Sequence, residues 1–342
     1  MSQENERTTQ QRPEPFYVDG FRQEDAEGIV SLFRAVYGEG YPIQLFYDPE
    51  AIIAANQDGS YISVVARTDS GEVIGVTNLY RSAPFKSLYE WGAGLIAKEY
   101  RNWGIHSRLT DFLFSEFVPG NPDIEMLFGE PVCNHTHMQN SVVRFNFIET
   151  ALEVALMPAA AYTQEKSAGG RVTTLSCFRS CKQKPHRIFL PLVYEAILRR
   201  IYGRLDDTRN ISLADGNLPA DKATRAELSV FDFARVARIA VHEAGSDFPS
   251  RLSELESEAK AKDLLVFQVW LNLTEPWVCE TVEVLRDRGY FFGGALPRWF
   301  DGDGLLMQKL ECPPDFENIA LLADFSKELL GFIQEDWKLV NT

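Results

Sequence analysis

The chain has 342 residues, the length of about two domains. Its 45% apolar and 24% charged residues exclude wholesale disorder and a small disulfide-stapled scaffold. The net charge of -15 argues against nucleic acid or an anionic membrane surface as the partner and is compatible with a cationic one. The five cysteines form no C-x-x-C pair, so we predict reduced thiols. The N-terminus has no apolar segment of the kind found in signal peptides, and no apolar run has membrane-spanning length. We therefore predict a cytoplasmic protein.

Strand and helix patterns alternate through the first half of the chain. The polar, Pro-containing residues 1–15 predict a disordered tail. Helical spacing of apolar residues, β-branched runs and turn residues then predict, in order, helices at 25–37 and 49–56, a hairpin over 61–80, a strand at 88–97, a helix at 104–117, a strand at 125–132, a helix at 139–147, and strands at 150–157 and 171–178. This alternation predicts an α/β domain with a mixed sheet.

The second half begins after a basic, Pro-containing break at 182–186. The pattern that follows predicts a connecting helix at 191–205, a loop at 206–222, a strand at 264–271, a helix at 275–288, a hairpin over 290–310 and a last amphipathic helix at 315–337. We therefore predict a first domain at 16–181, a linker at 182–222, a second domain at 223–312 and a C-terminal helix at 313–342.

The most informative stretch is the segment GAGLIAKEYRNWGIHSRL, residues 92–109, in which a strand passes through a tight turn into a helix. The first N–H groups of a helix have no intrahelical partner, and the helix dipole adds to their attraction for an anion. Gly104 lets the main chain approach a phosphate oxygen closely, and Arg101 supplies a charge-assisted donor. The alternative is an ordinary strand-to-helix turn with a surface arginine.

In this segment the chain resembles the GCN5-related N-acetyltransferase (GNAT) superfamily, whose pyrophosphate loop reads R/Q-x-x-G-x-G/A. The chain has Arg101-Asn102-Trp103-Gly104-Ile105-His106, and His106 departs from the family pattern. The order of helices and strands over about 16–180 also resembles the family. The resemblance implies an α/β (α+β) fold of mixed, mainly antiparallel sheets flanked by helices.

The resemblance further implies that the co-substrate is acetyl-CoA or another acyl-CoA, with no metal. The acceptor would be a small-molecule or peptide amine that attacks the thioester directly, and the protein would be a monomer or homodimer. The residues expected to hold the cofactor are Leu95, Ile96, Ala97, Arg101, Asn102, Trp103, Gly104, Ile105, His106, Ser107 and Asn140.

A general base must remove the proton of the attacking amine. Glu90 ranks first, because its strand leads into the loop and the family often carries its base there. His135 and His137 are the other candidates, since an imidazole titrates near neutral pH. On a strand, Cys133, His135 and His137 would share one face, so a zinc site is the alternative reading of that segment.

Two departures from the family favour a rival class, a non-catalytic acyl-CoA sensor. The helix at 139–147 has Asn140 in the family's Asn role but no tyrosine at the position of the general acid, and His106 is bulky. The second half resembles a fragment of the same superfamily without a pyrophosphate loop. We therefore predict two GNAT-like domains, of which the second is a degenerate copy.

Overall fold

The computed structural model describes residues 14–159 and 170–342. They form two compact units, one made of residues 14–80 and 92–121 and the other of residues 81–91, 122–159 and 170–342. The predicted boundary at 181/182 falls inside the second unit. Residues 1–13 of the predicted tail lie outside the described residues, whereas Glu14 and Pro15 accept hydrogen bonds from the N–H groups of Ser70 and Asp69.

The first unit carries a hairpin sheet covered by helices. Its elements are β1 (Phe16–Gly20), α1 (Ala26–Tyr37), α2 (Pro49–Gln57), β2 (Tyr61–Thr68), β3 (Val73–Tyr80), the second half of β4 (Leu88–Ile96), α3 (Ile105–Phe112) and a π-helical turn at Leu113–Phe117. β2 pairs antiparallel with both β1 and β3, which confirms the predicted hairpin. Ile29 and Phe33 of α1 share one core with Val65 and Val76 of the sheet.

The second unit contains the first half of β4 and all elements from β5 onward. Its strands are β5 (Met126–Gly129), β6 (Ile148–Pro158), β7 (Arg171–Ser180), β8 (His186–Leu190), β9 (Arg209–Leu213), β10 (Arg225–Phe231), β11 (Val236–Glu243), β12 (Val266–Asn272), β13 (Phe291–Leu296) and β14 (Gly304–Leu310). Its helices are α4 (His137–Arg144), α5 (Glu195–Tyr202), α6 (Phe248–Lys260), α7 (Val278–Arg286) and α8 (Asp324–Val340).

One pattern of strands occurs twice along the main sheet of the second unit. The order is β4-β5-β7-β6, followed in reverse by the corresponding strands β13-β14-β12-β11, with β10 at the edge. The pairs β4–β5 and β11–β12 are parallel, and the other pairs of both sets are antiparallel. Along the chain, one helix precedes β5 and another follows it, and the same holds for β12. The fold is therefore a mixed α/β fold with a large, mainly antiparallel sheet flanked by helices, as predicted.

Several predicted elements differ from the structure. The segment 206–222, predicted as a loop, contains β9, which pairs parallel with β8 in a separate small sheet. The last helix begins at Asp324 rather than 315. In the turn between β13 and β14, Asp303 is fully buried, where it accepts from Arg209 Nε at 2.5 Å and lies 3.1 Å from His186 Nε2.

The two sets of strands join edge to edge at Gly294 of β13, which faces Ala151 of β6. Gly294 has φ +138°, and a Cβ there would lie 2.3 Å from Ala151 Cα. We expect Gly294→Ala to lower the free energy of unfolding by about 3 kcal/mol, because overpacking and backbone strain add. Urea denaturation measures this.

Gly331→Ala is the matched control for this junction. Gly331 lies within α8 and a Cβ there meets nothing within 4 Å. Alanine is the better helix former, so this variant should gain up to about 1 kcal/mol. Equal stability of the two variants would contradict the tight junction at Gly294.

Candidate functional site

The turn after β4 has the backbone form of an anion site. β4 ends at Ile96, a 3₁₀ turn covers Lys98–Tyr100, and α3 begins at Ile105. Asn102 and Gly104 both lie in the left-handed region, with φ +67° and +76°. Gly104 is the N-cap of α3, and no side chain of the described residues caps this helix. The exposed turn therefore presents the uncapped, positive end of the α3 dipole.

The side chains of the turn divide between solvent and core. Arg101, Asn102 and Gly104 are exposed, so the guanidinium and the turn backbone are open to a ligand. Trp103, His106 and Ser107 are half-buried, whereas Ile105 is buried. The chemistry available is that of a basic side chain beside oriented N–H groups, which suits a phosphate or pyrophosphate.

Close packing at Gly75 of β3 sets the position of α3. A Cβ on Gly75 would lie 3.1 Å from Ile105 Cγ2 and 3.2 Å from Leu109 Cδ1. The helix therefore packs directly on the β3 backbone, with Ile105 and Leu109 buried. This contact holds the first turn of α3 immediately after the end of β4.

Three of the residues expected to hold the cofactor, Leu95, Ile96 and Ala97, lie at the end of β4. Leu95 is buried in the core of the first unit, and Ile96 and Ala97 are half-buried. The N–H of Ala97 donates to the carbonyl of Ile74 on β3 at 2.9 Å. Because backbone groups of an extended chain alternate between its two edges, those of Ile96 point away from β3. The backbone of Ile96 is thus the group that a ligand would use.

A row of hydrogen-bonded polar side chains holds β4 in an unusual backbone conformation at Ala93, two residues before Leu95. Ala93 has φ +48°, and its carbonyl accepts from Asn78 Nδ2 at 2.9 Å. Asn78 Oδ1 in turn accepts from Ser63 Oγ at 2.7 Å, and Asn56 of α2 bonds both the N–H and the hydroxyl of Ser63. A left-handed alanine costs free energy, so these bonds stabilise the kink.

We expect Asn78→Ala to lower the free energy of unfolding by about 1–3 kcal/mol, because it leaves the Ala93 carbonyl without its donor. Adding Ala93→Gly should recover part of this loss, since glycine adopts φ +48° without strain. A double-mutant cycle by urea denaturation measures the coupling. Strictly additive effects would show that Asn78 does not hold Ala93.

Glu90 lies in the half of β4 that belongs to the second unit. It is half-buried and accepts from Ser82 Oγ at 2.7 Å, and it pairs in register with Phe128 of β5. Tyr89 and Trp91 are buried, as the alternation along a strand predicts. The carboxylate of Glu90 therefore faces opposite to both aromatic side chains.

No strand runs through Cys133, His135 and His137, so the shared face on which the alternative zinc site depends does not form. β5 ends at Gly129, and Pro131 follows two residues later. Val132 forms an isolated bridge to Thr174, and His137 already belongs to α4. Burial raises the pKa of Cys133 to about 12, which disfavours the thiolate that binds metals. The two imidazole rings lie 5.0 Å apart. Over the described ranges, no group of three or more His, Cys, Asp or Glu side chains is arranged to hold a metal ion.

Asn140 lies on the exposed side of α4, and its amide donates to the Thr136 carbonyl of its own helix at 3.2 Å. The predicted cofactor contact would replace this bond. His135, His137 and Asn140 thus come together around the start of α4.

Sequence reasoning missed Glu130, which directly follows β5. Burial, the charges of Glu153 and Glu90, and a hydrogen bond with Glu153 together hold the pKa of Glu130 well above its ordinary value, against the opposing charge of Arg238. A carboxyl group in such a setting is suited to general acid–base work. Its signal in the sequence was the alternation of Met126, Phe128 and Glu130 along one side of a strand.

No protein-family model and no curated protein matches the chain. Solved structures do match. The ribosomal-protein-S5-alanine acetyltransferase from Vibrio fischeri is 13% identical, covers 49% of this chain and 94% of its own, and has a TM-score of 0.37. The ribosomal-protein-S18-alanine N-acetyltransferase from Escherichia coli is 10% identical, with 50% and 96% covered and a TM-score of 0.38. The spermidine/spermine N-acetyltransferase from Vibrio cholerae is 15% identical, with 48% and 92% covered and a TM-score of 0.35.

From α1 to β7 the order of helices and strands is the predicted one, whereas β1, which precedes them, was not predicted. At 10–15% identity the likeness to the solved structures concerns the fold alone. Along the described part of the chain, no helix is both long and apolar enough to cross a membrane.

Proposed function

We propose that the protein is an acyl-CoA-dependent N-acetyltransferase that moves an acetyl group from acetyl-CoA to an amine. The observation that carries this proposal is the turn from Arg101 to Ser107, where two left-handed residues precede the uncapped N-terminus of α3. Such a turn suits the pyrophosphate of a coenzyme A, and the GNAT-like fold is the context in which it is expected.

In the proposed reaction the amine nitrogen attacks the thioester carbon and the carbon–sulfur bond breaks. The amine proton passes to a carboxylate, and solvent protonates the departing thiolate. We assign the base to Glu130, which lies two residues beyond Phe128, the residue paired in register with Glu90, and whose raised pKa makes it a stronger base than an ordinary glutamate. Glu90, His135 and His137, predicted from the sequence, are the alternatives that mutation must separate.

The acceptor that we propose is a small-molecule or peptide amine. The net charge of -15 favours a cationic one. The proposed compartment is the cytoplasm, where the five free cysteines stay reduced. The proposed division into two domains, with a degenerate second copy, rests on the strand pattern that occurs twice in the second unit.

The rival proposal is an acyl-CoA sensor without transfer activity. It is favoured by α4, which contains no tyrosine to protonate a thiolate and whose Asn140 bonds its own helix. The test is release of free thiol from acetyl-CoA with a panel of alkyl amines and peptides, followed by mass spectrometry of the amine. Acetylated amine supports the enzyme, whereas tight acetyl-CoA binding with no product from any amine supports the sensor.

A further inference from the structure

The loop between β3 and β4, residues 81–87, lies entirely in the second unit and closes on itself. Arg81 Nε donates to the Lys86 carbonyl at 2.9 Å, and Arg81 Nη2 donates to the Tyr89 hydroxyl at 2.7 Å. The guanidinium carbon also lies 5.2 Å from the centroid of the Tyr89 ring. The first residue of the loop is thus bonded both to the end of the loop and to the start of β4.

Phe85 joins this loop to the second half of the chain. Its N–H donates at 3.1 Å to the carbonyl of Trp299, in the turn between β13 and β14. Its half-buried ring packs against the core that contains Trp299, and the ring centroid lies 5.0 Å from the guanidinium carbon of the buried Arg298. The Phe85 carbonyl accepts from the N–H of Leu88, the first residue of β4, at 3.2 Å. A turn of the second half therefore holds the loop just before β4 begins.

The same loop orients the carboxylate of Glu90. Ser82 Oγ donates to Glu90 Oε2 at 2.7 Å, and a hydrogen bond to a carboxylate is stronger than one between neutral groups. The backbone of Glu90 is held by β4, in register with Phe128 of β5. The sheet thus fixes the position of this residue, and Ser82 fixes the orientation of its side chain.

A carboxylate held in this way is suited to binding a cation. The proposed acceptor is an amine, and an alkyl amine with a pKa close to that of lysine, about 10.4, is protonated when it meets the protein near neutral pH. Glu90 is half-buried, so its side chain is still reached by solvent. An ammonium group that binds an already oriented carboxylate gains a charge-assisted hydrogen bond and loses less side-chain freedom than it would with a mobile one.

We propose that Ser82 and Phe85 are positioning residues for the acceptor, through which the second half of the chain orients the Glu90 carboxylate to bind the ammonium form of the amine. This inference rests on the proposed function, in which Glu130 takes up the proton afterwards. It gives the second half a role in acceptor binding, although that half has no pyrophosphate loop of its own.

The test compares steady-state kinetics of the wild-type chain, Ser82→Ala and Phe85→Ala with the amine that the wild type acetylates fastest. Each substitution should raise the KM for the amine about tenfold, the effect of losing one hydrogen bond to a charged group, and leave kcat within about twofold. Ser82→Thr keeps the hydroxyl and should restore the wild-type KM. Ser82 is only half-buried, so Ser82→Ala is expected to fold and carries the test if Phe85→Ala does not.

Ser87→Ala is the matched control. Ser87 is a half-buried serine of the same loop, and it accepts hydrogen bonds from the N–H groups of Glu125 and Met126 through its backbone carbonyl, which alanine keeps. Its KM for the amine should equal that of the wild type. Adding Ser82→Ala to Glu90→Gln should raise the KM no further, because no carboxylate is left to orient. An unchanged KM in Ser82→Ala, an equal rise in Ser87→Ala, or a full further rise on the Glu90→Gln background would overturn the positioning role.

A second readout does not need activity. In protein labelled with ¹³C at the glutamate carboxyl carbon, the signal of Glu90 is identified as the one lost in Glu90→Gln. Its chemical shift should change in Ser82→Ala and Phe85→Ala and stay in place in Ser87→Ala. If no amine is acetylated but this signal moves in Phe85→Ala, the proposed function fails and the hold of the second half on Glu90 stands. A Glu90 signal that is the same in Phe85→Ala and wild type overturns the inference whatever the activity.

Discussion

Glu130→Gln should lower kcat by roughly 100-fold or more while the affinity for acetyl-CoA stays within about twofold, the result expected for loss of a general base. Glutamine keeps the shape of the side chain and its ability to hydrogen-bond Glu153, but it cannot accept the amine proton. Initial rates with a saturating amine give kcat, and calorimetry gives the affinity.

Glu90→Gln separates the two carboxylates. Glu90 is one of the like charges that raise the pKa of Glu130, so its removal should lower that pKa and move the rise of kcat to lower pH. If kcat instead falls about 100-fold in Glu90→Gln and is unchanged in Glu130→Gln, the base is Glu90. If kcat falls only in His135→Ala or only in His137→Ala, the base is that histidine.

The raised pKa of Glu130 also predicts how stability depends on pH. The folded chain binds the Glu130 proton more tightly than the unfolded chain. The stability that this proton contributes is therefore complete below the ordinary carboxyl pKa of about 4.3, and it is lost as the pH rises through the pKa of Glu130 in the folded chain. The free energy of unfolding of Glu130→Gln minus that of the wild type should therefore be larger at high pH than at low pH. Urea denaturation at several pH values checks this.

Gly104→Val should weaken acetyl-CoA binding by at least about tenfold. A β-branched residue at φ +76° is strained, so the turn must change its backbone, and the new side chain would occupy the space in front of the α3 N-terminus. The measurement is calorimetric titration with acetyl-CoA.

Gly71→Val is the matched control for the strain. Gly71 lies in the β2–β3 turn of the same unit at φ +91°, and a Cβ there also meets nothing within 4 Å. Gly71→Val should lower the free energy of unfolding about as much as Gly104→Val does and leave the affinity for acetyl-CoA unchanged. Equal affinities of Gly104→Val and wild type would show that the turn does not bind the phosphates.

The elements that could be predicted are those whose pattern is local. The apolar spacing of α1 and the β-branched hairpin β2–β3 are visible within a dozen residues, and so is the strand–turn–helix around Gly104. β9 was missed because its Asp- and Asn-rich surroundings have turn composition, and only its parallel pairing with β8 makes it a strand.

The hydrogen bonds of Glu153 could not be predicted in the same way. Its partners Arg238 and Gln268 lie 85 and 115 residues further along the chain, so no spacing brings them together. They meet because β6 and β13 join at Gly294, a contact made by the sheet rather than by any motif. The shared face of Cys133, His135 and His137 required a strand through these residues, but β5 ends at Gly129 and Pro131 follows it.

The stoichiometry of acetyl-CoA binding to the full chain tests the central claim most directly. Because the Arg101–Ser107 turn is open and the turn before α6 is closed by Asp247 and Lys222, calorimetric titration of the wild-type chain should find one site per chain. Two equivalent sites, or no binding, would contradict the account.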